Sequence, residues 1–307
     1  MEPSDVPEVL DVLRAALGET PILKRTRELW AWKHERNPFG KSLALVAVSG
    51  GRIAGVRAMM RWDMATPEGP VLRCLRPVDT ATHPEFGRQG IFRSLTESAI
   101  EQAKESGLDL IFNTPNQASG PGYLKMGWQE VGPIGVMVRP LLRWGEKVPP
   151  DEAPTPDAFF AAGTDPAGGE VQDRAPMGLR TPRTPEYMRW RFEGHPTAGY
   201  RSIPARGARA IVRSNLRSGR KELVVSELFG SSPARAVRRV ARVGRAAYLA
   251  GWFSSGSPER RAALAGGMVP IPGMRALTLM TYPLGELPVN VLSLDSWDIG
   301  LGDLELL

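Results

Sequence analysis

Residues 78–92 read Val-Asp-Thr-Ala-Thr-His-Pro-Glu-Phe-Gly-Arg-Gln-Gly-Ile-Phe. The stretch from Val71 to Thr82 has strand character and stops at His83-Pro84, because proline cannot donate to a sheet ladder. Gly87 and Gly90 mark a short turn. From about Gln89 the apolar residues recur at helical spacing as far as Ser106, with Gly107 as the stop. A strand, a glycine turn and a helix in that order leave the first helix amides without acceptors in the chain. Together with the helix dipole they make a site for an anion such as a diphosphate. Gly87 and Gly90 keep Cβ atoms out of the approach, and Arg88 adds positive charge.

Outward from that segment the pattern alternates between helix and strand. Val6, Val9, Leu10, Leu13 and Leu17 predict an amphipathic helix over 3–18, and a second helix over 22–36 ends at Asn37-Pro38. Strands are expected at 43–49 and 52–63, joined by Gly50-Gly51, with the third at 71–82. Downstream come a buried strand at 108–112, a short helix at 117–126 and a strand from Trp128 to Arg139. The class is α/β.

The 307 residues suit two domains. A hydrophobic fraction of 42% with 23% charged residues excludes a disordered or fibrous chain. No apolar run reaches the eighteen or so residues that a membrane span needs, and MEPSDVPEVL lacks the pattern of a secretory signal. The single cysteine, Cys74, excludes an intrachain disulfide, and with three histidines no metal site is expected. These features suggest a cytoplasmic protein without membrane contact. The net charge of +6 favours anionic partners, and Arg235, Arg238, Arg239, Arg242 and Arg245 form a stripe at helical spacing, read as a solvated face. No nucleic-acid motif with interleaved aromatics appears, so nucleic acid is not an expected partner.

The second half echoes the first. Trp32-Lys33-His34-Glu35-Arg36-Asn37-Pro38 aligns with Trp190-Arg191-Phe192-Glu193-Gly194-His195-Pro196 at an offset of 158. Gly51, Ala54, Val56 and Arg57 align with Gly207, Ala210, Val212 and Arg213 at 156. Two matches in order at nearly one offset indicate a tandem duplication. Between the halves, periodicity gives way to Pro, Gly and acidic residues. The expected organisation is a first domain over 1–145, a linker or excursion over 146–180 and a second domain over 181–307. Strands at 223–229, 248–253 and 275–282 and helices at 233–247 and 257–266 are expected in the second half.

The segment Thr82 to Phe92 resembles motif A of the GCN5-related N-acetyltransferase (GNAT) superfamily: a strand ending in Val-x-Pro, an aromatic, then Arg/Gln-x-x-Gly-x-Gly/Ala. Gly90 fills the central glycine, while Gly87 stands where the family has Arg or Gln, and Phe92 where it has a small residue. Asn116, Ser119 and Tyr123-Leu124-Lys125-Met126-Gly127-Trp128 resemble the family's second signature. The resemblance covers about residues 3–140. It implies two tandem GNAT-like modules, each a mixed, mostly antiparallel twisted sheet flanked by helices. The C-terminal module is degenerate, since the segment 227–235 lacks the Gly-x-Gly and residues 264–268 lack the tyrosine.

For the site, the resemblance implies acetyl-CoA or another acyl-CoA as co-substrate. Ala81, Thr82, Gly87, Arg88, Gln89, Gly90, Ile91, Phe92 and Asn116 would bind it, and Tyr123 would protonate the departing thiolate. Asp79 and His83 are candidate bases for the amine, on one face if the strand is regular. Glu85 is a third candidate, and a water chain is the alternative to all of them. Trp30, Trp32 and Arg36 are candidates for the acceptor site, although the Trp32 echo at Trp190 argues for an architectural role there. The expected reaction is transfer of a short acyl group to a primary amine of a small molecule, by direct attack in a ternary complex. The competing readings are a non-catalytic acyl-CoA sensor and an aminoacyl-tRNA-dependent transferase.

Overall fold

The structure, a computed structural model, describes residues 1–19, 24–141, 174–273 and 277–304; most of the linker expected at 146–180 lies outside them. In the first half, helices α1 (Val6–Leu17) and α2 (Arg27–His34) lead into strands β1 (Leu43–Ser49), β2 (Arg52–Met64) and β3 (Leu72–Thr82). Helix α3 (Ile91–Glu105), β4 (Leu110–Asn113), α4 (Gly120–Lys125), β5 (Gln129–Ile134) and β6 (Met137–Pro140) follow. The second half contributes α5 (Pro185–Met188), β7 (Tyr200–Ala205), β8 (Ala208–Arg217), β9 (Arg220–Gly230), α6 (Pro233–Val243), β10 (Tyr248–Gly251), α7 (Pro258–Ala265), β11 (Val269–Pro270), β12 (Leu277–Pro283) and α8 (Leu301–Leu304).

Local chemistry accounts for many of these boundaries. Helix α1 buries Val6, Val9, Leu10, Val12 and Leu13 on one stripe. The Thr26 side chain accepts from the Leu29 amide and caps α2. The arginine stripe of α6 lies opposite its buried face of Ala236, Val237, Val240 and Val243.

The strands form two six-stranded sheets, in the orders β1-β2-β3-β4-β12-β5 and β7-β8-β9-β10-β6-β11. Each has one parallel pair, β3–β4 and β9–β10, at the same place in the order. The remaining neighbours are antiparallel. The two sheets are therefore copies of one mixed plan, each flanked by its own helices.

The copies exchange a strand. The fifth place in the first sheet is filled by β12 from the second half, and in the second sheet by β6 from the first half. The stretch Trp128 to Arg139, expected as one strand, is thus two strands in two sheets, parted at Gly135-Val136. Boundaries at 145 and 181 divide the sequence but not the sheets.

The halves meet at Trp32 and Trp190, whose rings stack at 4.6 Å. Trp32 Nε1 donates to the Trp190 carbonyl at 2.8 Å, and Trp190 Nε1 donates to the Trp32 carbonyl at 2.9 Å. Reciprocal bonds of this kind are what a local two-fold relation between repeats produces. Around them a shared core joins Leu29, Trp62, Phe112, Tyr187, Phe192 and Trp297.

In the second sheet the parallel pair ends at Val225 and Gly251. The chain's own residues 300–304 occupy the gap beyond. Leu301 donates its amide to the Trp252 carbonyl, and a Cβ on Gly302 would fall 2.6 Å from Glu227 Oε1. Asp303 pairs with Arg183, which also pairs with Glu227.

Candidate active site

In the first sheet the corresponding gap is open. Parallel pairing of β3 with β4 stops at Leu75 and Ile111, and the two strands then diverge. A cavity of about 1310 Å³ opens between Arg76–Thr82 and Asn113–Asn116 and extends to the second sheet at Glu222, Val224, Tyr248 and Ala250. The backbone edge of β3 that faces away from β2 has no strand beside it from Arg76 onward among the described residues.

β3 carries a bulge there. Arg57 of β2 faces Thr80 while Met59 faces Pro77, so Val78 and Asp79 together span the single position of Ala58. This is why the regular alternation expected to put Asp79 and His83 on one face fails. Asp79 lies in the bulge and lines the cavity; His83 does not line it, and its Nδ1 accepts weakly from the Glu85 amide at 3.4 Å.

Asp79 is buried among cations. Its Oδ2 accepts from Lys33 Nζ at 3.0 Å and from His34 Nε2 at 3.0 Å, and Arg25 Nη1 reaches Oδ1 at 3.3 Å. An ionised carboxylate requires the His34 tautomer with its proton on Nε2, so Nδ1 accepts from Ser42 Oγ at 2.8 Å. Burial pushes the Asp79 carboxyl up, but Lys33 and His34 outweigh it and hold the group far below the usual carboxylate range. A carboxylate so stabilised is a fixed charge and not a base for an amine. Arg25, Lys33 and His34 were not among the residues expected at the site; their charges on and before α2 carry no spacing that points to β3.

Other expected residues also lie elsewhere. Trp30 is buried with α1 against Ile53 and Val56, its ring 4.1 Å from that of His34. Arg36 is exposed and reaches the Glu28 carbonyl. Neither lines the cavity. Helical packing accounts for Trp30 and solvation for Arg36. Trp32 is architectural. Glu85 is exposed and pairs with Arg52 at 3.0 Å. Cys74 is fully buried on β3, and burial pushes its thiol well up, so it is no nucleophile.

Ala81, Thr82, Phe92, Asn116 and Tyr123 all line this cavity. The turn between Thr82 and Phe92 is exposed at Gly87, Arg88, Gln89 and Gly90. Arg88 and Gly90 are left-handed, with φ of +62° and +77°, and wind the turn tightly into α3, which starts at Ile91. The first-turn amides of α3 have no intrahelical acceptor, and no acidic residue occupies that turn. An anion is the complement of such an end.

Phe92 does not block the turn. Its ring meets Tyr123 edge-on at 5.4 Å and lies under Gly122, where a Cβ would come within 3.1 Å of it. The Asn116 Oδ1 accepts from the amides of Ala118 and Ser119 and shapes the entry to α4. Tyr123 sits on α4, buried against Trp128, with its Oη facing Arg57 on β2. At the far end Glu222 accepts from Asn215 Nδ2, Arg217 Nε and Tyr248 Oη.

Residues 1–131 match the family profile described as an acetyltransferase (GNAT) domain. No curated protein matches in sequence. Among solved structures, the chain superposes on the GCN5-related N-acetyltransferase from Kribbella flavida with a TM-score of 0.59 and 16% identity, over 92% of this chain and 71% of that one. The GCN5-related N-acetyltransferase from Anabaena variabilis gives 0.59 and 12%, over 92% and 71%. Eis1 from Mycobacterium abscessus gives 0.57 and 13%, over 92% and 72%. At these identities the likeness is one of fold, and it runs through both halves of the chain.

Proposed function

We propose, from the premise that residues 1–131 form a GNAT acetyltransferase domain, that this chain transfers an acetyl or other short acyl group from acyl-CoA to a primary amine of a small molecule. The observation that carries the reading is the open gap beyond Leu75 and Ile111, with Tyr123 on its wall and a bare helix end at its turn.

The free edge of β3 from Arg76 to Thr82 offers amides and carbonyls to an extended arm with its own amide groups, as a missing strand would. Its N–H groups near Ala81 and Thr82 are suited to polarise a thioester carbonyl. The first-turn amides of α3, with Arg88, are suited to a diphosphate. Tyr123 supplies the acid for the leaving thiolate. With Asp79 locked in its ion cluster and His83 outside the cavity, water takes the proton from the amine.

The acceptor side belongs to the second half. Its own gap is filled by residues 300–304, while its sheet presents Glu222, Val224, Tyr248 and Ala250 to the shared cavity. Glu222 is the one lining carboxylate besides Asp79 among the described residues; already engaged by Asn215, Arg217 and Tyr248, it gives this wall a polar end. A cavity of this size has room for a small molecule beside an acyl-bearing arm.

The test is thiol release from acetyl-CoA across a panel of small amines. Turnover with at least one amine, falling about 10²-fold in Tyr123→Phe, is the expected result. No release with any amine, and no rise in melting temperature with acyl-CoA, contradicts the reading.

A further inference from the structure

A buried arginine stands behind Tyr123, and the chemistry above makes no use of it. Arg57 on β2 is fully buried and forms no ion pair among the described residues. Its Nη1 donates to Tyr123 Oη at 2.7 Å and to Thr80 Oγ1 at 3.2 Å. Its Nε and Nη2 are buried and meet no acceptor. The guanidinium carbon lies 5.2 Å from the centre of the Tyr123 ring and 5.6 Å from that of Phe92.

A guanidinium kept from water without a counter-ion is costly, and an apolar side chain of similar volume is the cheaper filling for such a space. Burial accordingly lowers the affinity of Arg57 for its proton, and only the tyrosine opposes this. The short bond from this expensive group goes to the one side chain assigned as the acid. Arg57 also interrupts the apolar run Ile53-Ala54-Gly55-Val56-Arg57-Ala58-Met59-Met60, which is the signal in the sequence that marks it.

We propose that Arg57 is the positioning residue for Tyr123, holding the phenol by its oxygen so that the phenolic hydrogen is presented to the cavity, and countering the charge that forms when that hydrogen leaves. The inference rests on the reading of Tyr123 as acid. In the step concerned, the amine nitrogen forms a bond to the thioester carbonyl carbon. The carbon–sulfur bond breaks and its electron pair stays on sulfur. The phenolic proton passes to sulfur and leaves a phenolate. The proton released by the amine nitrogen returns through water to the phenolate oxygen. A hydrogen bond from a cation to that oxygen strengthens as the oxygen becomes negative, so Arg57 acts on the transition state more than on the bound reactants.

The experiment is a double-mutant cycle read by thiol release, with acetyl-CoA affinity measured by calorimetry. Its variants are Arg57→Met, Arg57→Lys, Tyr123→Phe and each Arg57 change combined with Tyr123→Phe. Arg57→Met is expected to lower kcat at least tenfold and leave the acetyl-CoA Kd within twofold. Arg57→Lys is expected to recover most of the loss, and neither change to cost anything further in the Tyr123→Phe background. If Arg57→Met does not fold, Arg57→Gln, which keeps a polar group in the same space, takes its place in the cycle. A loss of equal size with and without the tyrosine hydroxyl, or one expressed in acetyl-CoA affinity, assigns Arg57 to packing and overturns the proposal. An active wild type that Tyr123→Phe leaves unimpaired overturns the underlying assignment of the acid, and a wild type with no turnover overturns both.

Discussion

Arg88 shows how single residues divide between stability and chemistry. Its φ of +62° is a conformation that costs a side chain with a Cβ about 1 kcal/mol. Arg88→Gly is therefore expected to raise unfolding stability by up to about 1 kcal/mol in denaturant melts and, on the proposed function, to weaken acetyl-CoA binding, because a guanidinium leaves the turn proposed to hold the diphosphate. Unchanged affinity would remove Arg88 from the site. Asp79 makes the opposite case. Asp79→Asn strips the counter-charge from Arg25 and Lys33, both buried beside it, and is expected to destabilise the fold by ~3–5 kcal/mol. A full loss of turnover at undiminished stability would instead restore Asp79 as the base. In the sequence, Asp79 read as a base candidate because strand alternation was assumed; the bulge and the three donors that settle its state come from residues up to 54 positions away.

The decisive element is the β3–turn–α3 unit, and its packing depends on β2. A Cβ on Gly55 would lie 2.6 Å from Ile91 Cγ2 and 3.2 Å from the Ala81 carbonyl oxygen. Gly55→Ala is thus expected to push the start of α3 off the sheet and to raise the acetyl-CoA Kd at least fivefold by calorimetry, while the far end of α3 keeps its amide exchange protection. An unaltered Kd would show that the turn adjusts freely. Local pattern revealed this unit well, because strand, turn and helix signals are all short-range. It also revealed the first three strands and the helices that cover them. It did not reveal the exchange of β6 and β12. Pairing partners are chosen by tertiary contact, and although Gly132, Pro133 and Gly135 interrupt Trp128 to Arg139, nothing local says that the chain changes sheets at Gly135.

At the scale of the whole molecule the echo around Trp32 and Trp190 was legible, and it becomes the reciprocal tryptophan contact that joins two copies of one sheet. What the sequence did not disclose is that the gap in the second copy is filled by residues 300–304, so the copies share one cavity and divide its walls. Burial of titratable groups in both halves sets the response to pH. Burial lowers the proton affinity of His34, and burial with the nearby Arg191 lowers His195 to about 2. Below about pH 6.5 the unfolded chain binds protons there that the folded protein refuses, so stability falls with pH. Glu227, which burial pushes up to about 7, works the other way between pH 7 and its unfolded value near 4.5. Both histidines act against the one carboxyl, and the expected net effect is a loss of stability as the pH falls through that window. Asp79 adds to the loss at lower pH, as the pH falls towards its depressed folded value. Stability that is constant from pH 7 to pH 5 in denaturant titrations would contradict these assignments. The central claim is that an acyl-CoA lies between the diverging ends of β3 and β4. A crystal structure of the protein with acetyl-CoA tests it most directly. The account predicts the diphosphate on the amides of residues 88–92, the arm along Arg76–Thr82 and the thioester sulfur within hydrogen-bonding distance of Tyr123 Oη; coenzyme density against the second sheet alone, or none in either gap at saturating concentration, would contradict it.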